Sequence, residues 1–112
     1  MAVILINIAE DYTDSPGGRY KKEGKYSGED FRETILIKKY LQAKKNGDKL
    51  RVDLDGGYGY ATSFLEEAFG GLVRQLKDRE ILDIIEIKSD DAEYLIDDVQ
   101  KYIKDELKKI NK

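Results

Sequence analysis

The chain has 112 residues, of which 40% are hydrophobic and 38% are charged, and its 20 basic and 23 acidic residues leave a net charge of −3. This composition is typical of one globular domain, and the negative balance gives no overall attraction to nucleic acid. The absence of cysteine and histidine excludes disulfides, thiol catalysis, Ser-His-Asp hydrolysis and conventional zinc sites. We expect neither a metal nor a cofactor.

The amino-terminal segment MAVILINIAED predicts a strand over residues 2–9. Its nearly continuous apolar run suits a strand that is covered on both faces. The run is too short for a membrane span and lacks the basic leader of a signal peptide, so we expect a cytoplasmic protein with no membrane partner. Pro16-Gly17-Gly18 predicts a turn, and a short edge strand is expected near residues 19–22.

The next segment predicts a helix followed by a strand. Ser27 stands three residues before Asp30, which is close to a capping box, and Asn46-Gly47 predicts the end of the helix. Residues 50–54 alternate apolar and charged side chains, which is typical of a strand.

The rest of the chain repeats the helix-strand pattern. We expect a second helix over about residues 63–77, a third strand over residues 84–87 and a last helix that Ser89 caps. The apolar stripe of the last helix indicates a core-facing surface rather than a dimerisation helix. The order β-α-β-α-β-α predicts one α/β domain over residues 1–112, with a largely parallel or mixed sheet and right-handed crossovers.

One candidate site consists of Asp53, Asp55 and the Gly56–Gly59 turn. The segment V-D-L-D-G resembles the start of haloacid-dehalogenase-type phosphotransferases, which indicates a small Mg-dependent nucleotide- or phosphate-binding domain as the alternative function. The chain lacks room for the downstream lysine and acidic pair of that motif. It also has no Gly-Lys-Ser/Thr segment after the glycines, which a phosphate-binding loop requires. We therefore favour a structural interpretation, in which the two carboxylates form a salt-bridged edge face, Asp55 bonds the following turn and the glycines supply positive φ.

The second candidate site is the start of the second helix, where Thr62 and Ser63 are candidate phosphoacceptors. Ser63 stands three residues before Glu66, so a plain N-cap is the structural interpretation. A phosphate here would add nearly two negative charges, which Glu66 and Glu67 would oppose. Tyr58 and Tyr60 precede this helix, and we expect one of them to pack on the core and the other to lie on the surface.

Gly70-Gly71 lies inside the second helix, where each glycine costs about 1 kcal/mol relative to alanine. The pair predicts a close approach to a neighbouring element or a partner protein, or a kink. A homodimer formed through this helix is a further possibility.

Residues 61–70, ATSFLEEAFG, follow an apolar strand in a way that resembles the STAS-like domain family of unknown function. Residues 18–33 also resemble that family's entry into its first helix, and the resemblance extends from about residue 18 to residue 87. It implies a STAS-like fold, related to anti-sigma factor antagonists, in which a strand enters a D-S-S-G turn at a helix start. The first serine of that turn is phosphorylated by a histidine-kinase-like ATPase.

This resemblance places Thr62 at the phosphorylated serine and Ser63 at the next position. Ala61 stands where the aspartate would be and Phe64 where the glycine would be. Because these departures alter the turn that a kinase would recognise, partner binding is the main inference. The resemblance implies a non-catalytic regulatory module that binds a histidine-kinase-like ATPase through residues 56–71. The candidate contact residues are Tyr58, Tyr60, Phe64, Glu66 and Glu67.

Overall fold

The structure is a computed structural model that describes residues 2–110 and contains a three-stranded parallel sheet. Its strands are β1 (Val3–Asn7), β2 (Lys49–Asp53) and β3 (Ile85–Lys88), in the spatial order β1-β2-β3. Both strand pairs are parallel. The predicted α/β architecture is therefore confirmed.

Two long helices connect the strands, and each contains a π-helical turn. Helix α2 covers residues 28–46, with its π turn at Arg32–Leu36, and α3 covers residues 62–76, with its π turn at Glu66–Gly70. The other helices of residues 2–110 are α1 (Ile8–Asp11), α4 (Ile81–Ile84), α5 (Tyr94–Ile110) and a short 3₁₀ turn at Lys21–Glu23. None of the helices in this range is long and apolar enough to cross a membrane.

Two predictions for the first quarter of the chain are wrong. The first strand ends at Asn7, because the Asn7 side chain accepts a hydrogen bond from the Glu10 N–H at 2.8 Å and starts α1. The expected edge strand near residues 19–22 is replaced by the 3₁₀ turn. There the Glu23 carboxylate accepts the N–H groups of Arg19 and Tyr20 at 2.6 and 3.2 Å and closes the backbone on itself.

The predicted helix caps have mixed outcomes. Ser27 accepts the Asp30 N–H at 3.0 Å, and Gly47 ends α2 with φ of 74°, as expected. The last helix begins later than predicted, at Tyr94, because the Ser89 hydroxyl accepts the Ala92 N–H at 3.1 Å and forms a separate turn.

The sheet buries one face only, so the prediction that the first strand is covered on both faces is wrong. Ile6, Val52 and Ile87 stand in register on the inner face and are at most 8% exposed. Leu5 and Glu86 are exposed on the outer face. Successive right-handed crossovers that step in one direction place their helices on the same side of a sheet, which explains the uncovered face.

The first turns of α2 and α3 pack directly against each other. An added Cβ at Gly28 would lie 2.4 Å from the Phe64 carbonyl oxygen, so only glycine permits this approach. Phe31 and Phe64 are fully buried beneath it, with ring centroids 5.9 Å apart. The contact fixes where α3 begins relative to α2.

A buried arginine explains the glycine pair inside α3. The Arg32 guanidinium of α2 donates to the Glu67 carboxylate at 2.6 Å and to the Glu67 carbonyl at 2.8 Å. The Gly71 N–H bonds the carbonyls of Glu66 and Ala68 and leaves the Glu67 carbonyl to the arginine. A Cβ at Gly71 would lie 2.2 Å from Arg32 Nη1, so the glycine makes room for this contact. The expected close approach to a neighbouring element is confirmed.

We predict that Gly71→Ala destabilises the protein by about 3 kcal/mol, because the new methyl group displaces Arg32 and breaks a buried ion pair. Denaturant unfolding measures the change. In an Arg32→Ala background the same substitution should instead stabilise by about 1 kcal/mol, since alanine is the better helix former once the guanidinium is gone. Equal effects in the two backgrounds would contradict this explanation.

Candidate functional site

A glycine-rich loop joins the carboxyl end of β2 to the start of α3. Gly56 and Gly59 have φ of 96° and 119°, which confirms that they supply positive φ. The loop packs on residues 13–15, since the Tyr58 N–H donates to the Asp14 carbonyl at 2.9 Å. A Cβ at Gly57 would lie 3.0 Å from that same carbonyl. The two loops therefore hold each other in place below the helix.

One tyrosine of the loop packs on the core and the other lies on the surface, as predicted. The Tyr60 hydroxyl donates to the Leu54 carbonyl at 2.9 Å, and burial raises its pKa to about 12. Its ring packs 6.0 Å from that of Phe64. Tyr58 is 87% exposed, so it is available to a partner.

The first residues of α3 present the two hydroxyl groups at the surface. Ala61 occupies the N-cap position and no side chain caps the helix, so the prediction that Ser63 is the cap is wrong. Thr62 is exposed and Ser63 is half-buried. Neither hydroxyl is committed to the helix end, because the backbone of Ala61 already accepts the N–H groups of Phe64 and Leu65.

Thr62 also lies against the last helix. Its side chain lies close to the Tyr102 phenol of α5. Burial and the nearby Asp98 carboxylate raise the pKa of Tyr102, and the neighbouring Thr62 side chain offsets part of this rise. A change at Thr62 therefore alters the surroundings of Tyr102 in α5 as well as the surface that a bound molecule would contact.

Phe64 cannot serve as a contact residue on the surface, which corrects one expectation. Its side chain is fully buried and packs against the rings of Phe31, Tyr12 and Tyr60. Phe64 anchors the start of α3 in the core.

Glu66 and Glu67 are paired within the chain. The burial of Glu67 corrects the expectation that it lies on a contact surface, whereas a partner contact of Glu66 stays a prediction. The Glu66 carboxylate pairs with Arg19 and, at 2.7 Å, with Arg74. Glu67 is 7% exposed and pairs with Arg32. The arginines also neutralise the charge that we expected to oppose a phosphate on this helix.

Gly70 and Gly71 are buried and do not form a free contact surface. The Glu66 carboxylate covers Gly70 and the Arg32 guanidinium covers Gly71. Gly70 and Gly71 themselves are therefore not available as a dimer contact, and a homodimer through another part of this helix stays a prediction.

Asp53 and Asp55 perform a structural task at the carboxyl ends of the strands. The Asp53 carboxylate accepts the Asp55 N–H at 2.9 Å, and Lys88 lies 3.7 and 3.4 Å from the carboxylates of Asp53 and Asp55. The predicted salt-bridged face is confirmed, but β2 is the central strand and not an edge.

Asp55 bonds the turn after β3 instead of its own turn. It accepts the N–H groups of Asp90 and Asp91, at 2.8 and 2.9 Å, and the Ser89 hydroxyl at 3.1 Å. Burial by itself would raise the pKa of Asp55, but these donors and Lys88 stabilise the charged form more, and the pKa falls to about 2.

This arrangement does not favour the magnesium alternative. The oxygens of Asp55 are already used by backbone and side-chain donors. Among residues 2–110, no group of three or more acidic side chains has a geometry that could hold a metal ion. The Gly56–Gly59 turn packs on residues 13–15 and carries no lysine for a phosphate.

Sequence reasoning did not identify the basic partners of this region. Arg19, Arg32 and Arg74 converge on α3 from a loop, from α2 and from α3 itself. The signal that could have revealed one of them was Gly70-Gly71, since a glycine pair in a helix beside two glutamates leaves room for a long basic side chain.

Comparison with known proteins identifies the family. A family model described as a STAS-like domain of unknown function matches residues 27–95, which is more than half of the chain. The chain therefore belongs to that family, as the resemblance implied. No curated protein and no solved structure matches it.

We predict that Asp55→Ala destabilises the protein by about 2 kcal/mol at neutral pH, because several N–H and O–H donors lose a charged acceptor. Since the pKa of Asp55 is lowered on folding, this stabilisation is complete above about pH 4 and disappears as the pH falls toward about 2. The free energies of unfolding of the wild type and the variant, measured across this pH range, should therefore converge as the pH falls. A constant difference between them would contradict it.

Proposed function

We propose that this STAS-like domain is a non-catalytic regulatory module that binds a protein partner through the start of α3 and the loop before it. The docking surface consists of Tyr58, Thr62 and Ser63, with the outer part of Tyr60 beside them. By its resemblance to anti-sigma factor antagonists, the partner is a histidine-kinase-like ATPase.

The observation that carries the proposal is the state of the two hydroxyl residues. Thr62 is exposed, Ser63 is half-buried, and neither caps the helix. A hydroxyl that does not cap the helix can contact a partner or accept a phosphate. The exposed ring of Tyr58 beside it supplies the aromatic surface that protein interfaces favour.

The local charges support a phosphorylation switch at Thr62 or Ser63. The first turn of a helix stabilises negative charge, because its N–H groups have no intrahelical acceptor. Glu66 lies one turn away, but Arg19 and Arg74 pair with it. A phosphate would change the docking surface without unfolding the helix, and it would repel any acidic surface on the partner.

The anchoring below the surface also suits recognition. Phe64 fixes the start of α3 in the core and the Tyr60 hydroxyl ties the loop to Leu54. A surface that is already ordered loses less conformational entropy when it binds a partner. We infer that the partner recognises this surface largely in the conformation described here.

We predict that Thr62→Glu weakens binding to a histidine-kinase-like ATPase at least about tenfold, equivalent to about 1.4 kcal/mol, because it places a negative charge on the docking surface. Isothermal titration calorimetry with a purified histidine-kinase-like ATPase measures the affinity. The melting temperature should not fall, since an acidic residue in the first helical turn is favourable.

Thr34→Glu is the matched control, because Thr34 is an exposed threonine on α2. It introduces the same charge away from the docking surface and should leave the affinity unchanged. Tyr58→Ala should weaken binding without adding charge. Equal affinities for the wild type, Thr62→Glu and Tyr58→Ala would refute the proposed docking surface.

A further inference from the structure

Strand β1 is an edge strand whose own residues carry no charge or proline. In the range 2–110, β2 is the strand that pairs with it, and its other edge is open. Its sequence, VILIN, contains neither a charge nor a proline, and Val3 and Leu5 are 44% and 64% exposed. The opposite edge, β3, carries Glu86 and Lys88, which are typical protection against strand addition.

The backbone groups of Val3 and Leu5 point away from the sheet. The Lys49 N–H donates to the Ala2 carbonyl at 3.0 Å, so the even-numbered residues of β1 face β2. The Asn7 N–H is on the outer side and is already taken by the Asp11 carboxylate at 2.8 Å. The peptide groups of Val3 and Leu5 are thus presented to a further strand, and Asp11 closes the edge beyond them.

We propose that β1 pairs antiparallel with β1 of a second copy of this chain, across a two-fold axis at Ile4. Val3 then forms a hydrogen-bonded pair with Leu5 of the second copy, and the reverse pair forms by symmetry. The two three-stranded sheets become one six-stranded sheet. The proposal concerns a surface separate from the docking surface at α3.

The occupied Asn7 N–H selects this register. A two-fold axis at Leu5 would require the Asn7 N–H to bond Val3 of the second copy, in competition with Asp11. With the axis at Ile4, the four bonds use only Val3 and Leu5. The facing side chains of residues 3–5 are then all branched and aliphatic, which is a favourable cross-strand combination.

The charges around β1 suit a second copy in this orientation. On the uncovered face, Arg51 pairs with Glu86 at 2.7 Å and Lys49 donates to the Asp83 carbonyl. Both cations are therefore bound on the β3 side of β2, away from the open edge of β1. Antiparallel pairing separates the acidic ends of the two strands by roughly 20 Å, which exceeds the screening length in physiological salt. Parallel pairing would place Asp11 beside its own copy.

The contact is small, so the dimer is weak and depends on concentration. Two short strands bury less than the roughly 1,200 Å² that separates transient from stable interfaces. We expect sedimentation velocity of the wild type to show monomer at about 10 µM and a growing dimer fraction toward about 1 mM. Hydrogen exchange at the Val3 and Leu5 amides should slow over the same range.

Leu5→Lys is the test variant, because it puts a charge beside the axis at a side chain that is largely exposed and does not contribute to the core. It should raise the concentration at which half of the chains are dimeric at least tenfold, and it should leave the melting temperature unchanged. Leu41→Lys, at another exposed leucine on α2, is the control and should match the wild type.

A cysteine at Ile4 tests the register directly in a chain that has no other cysteine. Non-hydrogen-bonded antiparallel pairs bring their Cα atoms to about 4.5 Å, within disulfide range. Ile4→Cys should therefore oxidise to a covalent dimer far faster than Leu41→Cys. A wild type that stays monomeric at about 1 mM with unprotected Val3 and Leu5 amides would overturn the proposal. A dimer that Leu5→Lys leaves intact would do the same.

Discussion

The contact of Arg32 with Glu67 and Gly71 holds the two long helices together, and the position of the docking surface depends on it. The guanidinium bonds both the carboxylate and the backbone carbonyl of Glu67. The carbonyl is available because α3 widens into a π turn, and the guanidinium fits because Gly71 has no side chain. A buried ion pair contributes little net stability by itself, but the loss of one partner is costly. The contact therefore specifies how α2 and α3 meet.

The other end of the same region is fixed by Asp55. Its carboxylate joins the end of β2 to the turn that leads into α5, through the N–H groups of Asp90 and Asp91. Phe64 is fully buried against the rings of Tyr12, Phe31 and Tyr60, and Thr62 and Ser63 precede it in the first turn of α3. The two hydroxyls thus stand on an ordered base. The chain keeps its charged groups paired inside this region and leaves a neutral aromatic and hydroxyl surface outside.

The sequence predicted the helix and strand order because each element carries a strong local pattern. The Ser27 cap, the Gly47 stop and the alternation in β2 are short-range signals, and all three are confirmed. The coverage of β1 was predicted wrongly because an apolar strand has the same sequence whether one face or two are buried. The direction in which the crossovers step decides that, and it is a property of the whole sheet.

The candidate site was predictable only in part, for the same reason. Positive φ at the glycines and the contrasting exposure of Tyr58 and Tyr60 follow from local geometry. The burial of Phe64 and Glu67 depends on α2, which lies more than thirty residues away in sequence. No short-range pattern indicated that Arg32 would reach Glu67. The predictions therefore failed where a contact with a distant part of the sequence buries or pairs a residue that the local pattern placed on the surface.

Docking of a partner at the start of α3 would change the environment of the backbone amides there. The most direct measurement is an NMR titration of isotope-labelled chain with the histidine-kinase-like ATPase, following every backbone amide. The largest changes should fall on residues 56–63 and reach α5 through Tyr102, while the amides of β1 stay unchanged. Changes confined to β1 and the uncovered face of the sheet, or no change at saturating ATPase, would contradict it.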